Sequence, residues 1–292
     1  TDQHRWDLYD NRTVPSLQTP AISRLMAQGV TLTHAYANCP ICMPNRFTWC
    51  HGLYPSQGAA GIMENWHAWP RDLPAMPRQL QKAGYHTALI GKLHAQGRWH
   101  NDLTDPVFVQ ETRARGFRDI VEVCGKGFAQ KVDCDWTHHL RHKGLLERYR
   151  EDLRRRDCER HATVDEATDP TFLPTEDTAD AFIGRHVRDW LDARDGGAPF
   201  FLHASFCGPH FPLDPPADDH RQYRPEDMPT PPGVDDPERI AYWQRRTAAY
   251  CAMIAHVDRE IGSVLDRLDA LGLTEETLVI FGTDHGDMTG HH

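Results

Sequence analysis

Five polar clusters fall where the sequence reads as the end of a strand or its continuation: Asp2 with Gln3, Cys42 with Arg46, Lys92 with His94, His210, and Asp284 with His285. Asp2, Asp284 and His285 offer the oxygen and nitrogen donors that divalent cations accept. Cys42 is a thiol beside Pro44 and Arg46, and a neighbouring cation favours the reactive form of a thiol. Lys92 and His94 follow an apolar run directly; two apart in extended chain, they share a face. Each also has an ordinary structural role open to it. Asp284 can be a turn residue, Lys92 a solvated cation, His94 and His210 hydrogen-bonded scaffold, and Cys42 a buried inert thiol. Five such clusters together point to one cleft, because the carboxyl ends of strands in one parallel sheet lie side by side.

The elements that would position them follow from periodicity and punctuation. Pro20 to Gly29 predicts a short helix, with Thr19 as its N-cap and Gly29 ending it. Val30 to Ala37 alternates like a strand and leads to Cys39 and Cys42. A helix opening at Phe47 would point its N-terminus at Cys42 and favour a thiolate or a bound anion. Residues 77–83 predict a helix ended by Gly84, and Tyr85 to Gly91 a buried strand, which together make an α/β unit. Residues 98–175 carry Arg- and Asp-rich runs and read as an insertion or cap, built of helices and excursions. Residues 176–194 and 239–271 predict amphipathic helices, the second closed by Gly272. Phe200 to Phe206 predicts a central strand stopped by Pro209 and Pro212. Residues 1–13 and 215–238 read as loops, and Thr277 to Gly282 as a buried strand that delivers Asp284 and His285.

Composition narrows the function. The 292 residues are 39% hydrophobic and carry a formal net charge of −10, which argues against general nucleic-acid binding. No run of about 18 apolar residues is present, so no membrane span is expected. Nineteen histidines accord with metal or acid–base chemistry. Eight cysteines show no disulfide framework, and no leader is visible; a reducing, cytoplasmic compartment is the expectation. Cys39, Cys42, Cys50 and His51 also spell a C-x2-C followed by Cys-His. Its second half lacks the separation a tetrahedral zinc site needs.

Cys42-Met43-Pro44-Asn45-Arg46 fits the C-x-P-x-R signature of the sulfatases of the alkaline-phosphatase superfamily, with Asn45 in place of the usual Ser. Gly52 stands where the longer signature has its glycine. Gly91-Lys92-Leu93-His94 resembles the family's GKxH element, Pro209-His210 with Pro212 its PHxP loop, and Thr283 to Asp287 its late metal-binding turn. One Asp in the first turn and Asp-His in the late turn resemble the choline-sulfatase and phosphonate monoester hydrolase branch. The resemblance covers most of the chain outside residues 98–175.

The resemblance implies an α/β fold of alkaline-phosphatase type, a mostly parallel central sheet with helices on both faces. It implies that residues 1–292 are a catalytic domain cut at both ends, lacking a first strand and a C-terminal subdomain. Cys42 would be oxidised to formylglycine (3-oxoalanine) by a maturation enzyme and serve as nucleophile, supported by Arg46. Asp2, Cys42, Asp284 and His285 would bind a divalent cation, Ca²⁺ by expectation and Mn²⁺ as the alternative. Lys92 would neutralise sulfate oxygens, and His94 and His210 would be the acid–base candidates. Asn65, Lys92 and His210 would contact substrate. The expected reaction is hydrolysis of a sulfate monoester. Phosphonate monoester or phosphodiester hydrolysis on the same site is the rival, and a non-catalytic sulfatase-like binding protein or a zinc module the rival from another class.

Overall fold

Three short parallel strands form the sheet: β1 (His86–Gly91), β2 (Asp119–Glu122) and β3 (Phe200–Ser205), in the order β2-β1-β3. The computed structural model describes residues 1–58, 64–65, 67–97, 102–156 and 167–291. In register, Leu89 stands between Ile120 and His203, and Gly91 between Glu122 and Ser205. The middle strand is therefore β1, and β3, expected to be central, lies beside it. All of β1 after His86 is buried, as a strand covered on both faces must be.

Strand alternation sends successive residues to opposite faces, and the core divides accordingly. Leu89, with Ile120 and Phe201, packs on Met43, Phe47 and Phe117. Ile90, with Val121 and Leu202, packs on Phe182, Ile183, Val187 and Val257. The α-helices include α1 (Pro20–Gln28), α2 (Cys42–His51), α3 (Met76–Lys82), α4 (Pro106–Ala114), α5 (Asp135–His142), α6 (Leu146–Arg155), α7 (Ala179–Ala193), α8 (Ala217–His220) and α9 (Pro237–Ala270). Thus α2 serves one face, and α7 with α9 the other.

Several expectations are corrected. The helix expected from Phe47 begins at Cys42 itself. Pro44 sits in its first turn, where the missing N–H costs nothing. Val30 to Ala37 is not a strand; Val30, Leu32 and Tyr36 are exposed, and no strand of the described residues lies beside them. Thr277 to Gly282 likewise joins no ladder, and Leu278 and Ile280 are exposed. A strand needs a neighbour for its backbone groups, and alternation alone cannot report one. Residues 98–175 contribute β2 and buried Trp136, Leu140 and Tyr149 to the core, beyond helices and excursions; positions 98–101 and 157–166 lie outside the described residues. In the loops read at 1–13 and 215–238, Leu8, Tyr223 and Met228 are buried against α9. The N-cap expected of Thr19 is supplied from α9. The Asp258 carboxylate accepts from Ala21 N at 2.9 Å and Ile22 N at 2.8 Å, while Thr19 Oγ1 donates to Tyr9 O.

Two features at the carboxyl end of the sheet make predictions. Gly91 has φ +116°, and a Cβ there would lie 2.0 Å from Ser205 O. Gly91→Ala is expected to cost about 3 kcal/mol in urea unfolding, since neither backbone can give way. Glu122, buried at the end of β2, takes a hydrogen bond from Thr112 Oγ1 at 3.2 Å. Burial pushes its carboxyl up to about 7, against the smaller opposing pulls of Thr112 and Arg115. The unfolded chain ionises this group near 4.3, so its favourable contribution is full below that pH and is lost as pH rises through 7. Glu122→Gln should therefore raise stability by on the order of 2–3 kcal/mol at pH 8 and change little at pH 4, read as denaturant midpoints at both.

Candidate active site

The opening turns of α2 place the two chemical residues of the signature. Cys42 and Arg46 are four apart and share one side of the helix. Met43, Phe47 and Cys50 fill the adjoining apolar side. Asn65 Oδ1 accepts from Met43 N at 2.9 Å, satisfying one of the free N–H groups at the helix start. Gly52 closes the helix with φ 68°, its N–H on Thr48 O.

Around Cys42 four donor groups converge. One ligand atom from each of Asp2, Cys42, Asp284 and His285 lies within 4.8 Å of all the others. Cys42 Sγ is 3.0 Å from His285 Nε2 and 3.6 Å from Asp2 Oδ1. The backbone fixes the carboxylates: Asp2 N donates to Gly208 O, and Asp284 Oδ1 accepts from Gln3 N and His285 N, both at 2.9 Å. Two buried carboxylates, an imidazole and a sulfur position make a donor set that suits a divalent cation.

Two side-chain cations complete the cluster. Lys92 Nζ reaches Asp2 Oδ2 at 2.5 Å, with both side chains 1% exposed. Arg46 Nε donates to Asp284 Oδ2 at 2.8 Å, and its Nη1 to Lys92 O and Ser205 Oγ. Burial alone would raise the Asp2 carboxyl; the Lys92 ammonium, then His210 and Arg46, outweigh it and hold it well below the usual range. Burial likewise opposes charge on Lys92, and Asp2 and other neighbouring anions prevail, raising it. The two carboxylates thus balance the two cations. A bound divalent cation would leave the cluster positive, within a protein that is negative overall.

The histidines differ. His94 has φ 60°, and its buried Nδ1 has no hydrogen-bond partner. Burial, then Lys92 and Arg46, push its pKa well below the ordinary value, so the imidazole is neutral at pH 7. His210 is partly exposed, bonds Phe211 O through Nδ1 at 2.7 Å, and stacks on the exposed Phe211 ring.

The predicted clusters therefore meet, but by different routes. Lys92 and His94 follow β1, and His210 follows β3. Asp2 lies beside Pro209 in an isolated bridge, Cys42 comes from a helix start, and Asp284 and His285 from irregular chain. Asn65 sits at the start of α2. The zinc alternative does not assemble: Cys50 is in the apolar core and His51 Nδ1 is on Pro74 O. Unforeseen were Asn45, whose side-chain amide donates to Asp284 O, Asp180, and Lys126. Asp180 Oδ1 accepts from Cys207 N and Gly208 N, bracing the turn that holds Asp2. Lys126 Nζ donates to Pro212 O and Asp214 Oδ1, bracing the His210 loop. Lys126 follows a strand and Gly125, the same pattern that marked the other clusters.

Among solved structures, the phosphonate monoester hydrolase of Agrobacterium radiobacter resembles this one with a TM-score of 0.78 and 23% identity, covering 100% of this chain and 62% of that one. The fold is thus of the alkaline-phosphatase-like α/β class. The profile of the Sulfatase family matches residues 2–292, and the chain belongs to that family. It is 28% identical over 323 residues to the arylsulfatase of Clostridium perfringens, covering 100% of this chain and 62% of that protein. It is 25% identical over 313 residues to the choline-sulfatase of Rhizobium meliloti, covering 99% and 56%. The chain therefore spans about 60% of the length of these relatives. No helix among the described residues is long and apolar enough to cross a membrane.

Proposed function

We propose that the protein hydrolyses sulfate monoesters through a nucleophile made from Cys42. The observation that carries this reading is the position of Cys42 Sγ, 3.0 Å from His285 Nε2, inside the carboxylate cluster and on the same helix side as Arg46. Membership of the Sulfatase family and the named sulfatase relatives support it. When present, the divalent cation and the formylglycine made from Cys42 supply an oxygen nucleophile and charge neutralisation for the sulfate.

The chain's own residues do the rest. Asp2, Asp284 and His285, with the residue at 42, would hold the cation. Ca²⁺ is proposed from the two carboxylates, with Mn²⁺ as the alternative because of the imidazole. Lys92 and Arg46 stabilise the negative charge of the transferring sulfuryl group. His94 and His210 are the acid–base candidates, and the more exposed His210 is placed to donate a proton to the leaving alcohol. Cys42 is 3% exposed, so a formylglycine-generating enzyme would act before this packing closes.

The same cluster suits tetrahedral phosphorus, and the fold likeness to a phosphonate monoester hydrolase keeps that reading as the second. Parallel assays of the full-length matured protein on an aryl sulfate and an aryl phosphonate monoester discriminate. A higher kcat/KM on the sulfate is expected; a preference for the phosphonate would replace the sulfatase reading with its rival.

A further inference from the structure

We infer that Cys124 and Cys134 form an oxidant-responsive disulfide site that ties the loop behind Lys92. The two sulfurs lie 3.5 Å apart in hydrogen-bond contact. Both thiols are buried, and no other pair of cysteine sulfurs among the described residues makes such a contact. Cys124 follows β2 and Cys134 is the N-cap of α5, so a bond would close the loop between them.

The surroundings give the two sulfurs different tasks. Cys134 Sγ accepts the Thr137 backbone N–H, and its own N–H is held by Thr137 Oγ1 at 2.7 Å. A sulfur at a helix start, accepting hydrogen bonds, is favoured as thiolate. Burial would raise the Cys134 thiol, but hydrogen bonds with Cys124 and the backbone hold it below its ordinary value. Cys134 is the attacking sulfur and Cys124 the resolving one. With hydrogen peroxide as oxidant, the Cys134 thiolate takes one oxygen, the O–O bond breaks, and hydroxide leaves. Cys124 then attacks the Cys134 sulfenic acid. The S–S bond forms as the S–O bond breaks, and the departing hydroxide takes the Cys124 proton as water. Two thiols and one peroxide give one disulfide and two waters.

The loop so closed bears on the cleft. Gly125 has φ 94°, and a Cβ there would lie 3.4 Å from Lys92 Cδ, so the lysine stem packs along its backbone. Lys126 braces the His210 loop through Pro212 O and Asp214. A crosslink would hold both contacts and restrict the unfolded chain.

The test is peptide mapping of full-length protein, reduced, freed of reductant, treated with dilute hydrogen peroxide while folded, and alkylated after denaturation. The expected result is a Cys124–Cys134 crosslinked peptide and a Tm higher by roughly 5 °C, both reversed by dithiothreitol. Cys124→Ser and Cys134→Ser should each lose the crosslink and the reversible shift; Cys124→Ala gives the same readout if either serine variant misfolds. Both cysteines still alkylated, both converted to sulfonic acids, or a crosslink to Cys207 instead, would overturn the inference.

Discussion

Cys42→Ala in the full-length protein, produced together with a formylglycine-generating enzyme, is expected to lower sulfate-ester kcat by roughly 10⁴–10⁶-fold, the scale at which removal of a nucleophile shows. The fold should survive. Cys42 Sγ meets Asp2 at 3.6 Å and His285 at 3.0 Å, while the helix that carries it is held by Met43 and Phe47 in the core. Thermal unfolding of the variant should stay within a few degrees of the parent. Activity at the parental level in a folded variant would remove Cys42 from the chemistry.

Asp2→Asn should lose both function and stability, for separable reasons. Function falls because a carboxylate donor is gone, an effect of about 10³-fold or more, accompanied by lower metal content measured by inductively coupled plasma mass spectrometry. Stability falls because the buried Lys92 ammonium loses the carboxylate at 2.5 Å; stranding a buried charge costs about 3–5 kcal/mol. A second substitution, Lys92→Met, should recover stability without recovering activity. Full metal occupancy in Asp2→Asn would refute its place in the donor set, and unchanged unfolding would refute the buried pair.

The site was more legible than the scaffold around it. C-x-P-x-R is a local device: helix geometry puts Cys42 and Arg46 on one side, and Pro44 is allowed only in the first turn. Lys92 and His94 could be placed because a buried strand ended by Gly91 is itself a local pattern. The failures share one cause. Val30–Ala37 and Thr277–Gly282 alternate well, but strand formation depends on a neighbour, which no window of sequence contains. β2 was hidden because Asp119–Glu122 is only four residues long and bears a carboxylate at each end. The capping of α1 by Asp258, 236 residues distant from Ile22, and the bracing of Asp2 by Asp180 through Gly208 are tertiary facts with no local trace.

In the proposed function, the residue at position 42 works as an aldehyde derived from cysteine. Peptide mass spectrometry of active, full-length protein measures this directly. The peptide carrying residue 42 is expected to be lighter by the exchange of thiol for aldehyde, in a fraction that scales with specific activity across preparations. Fully active protein whose residue 42 is an unmodified thiol would contradict it.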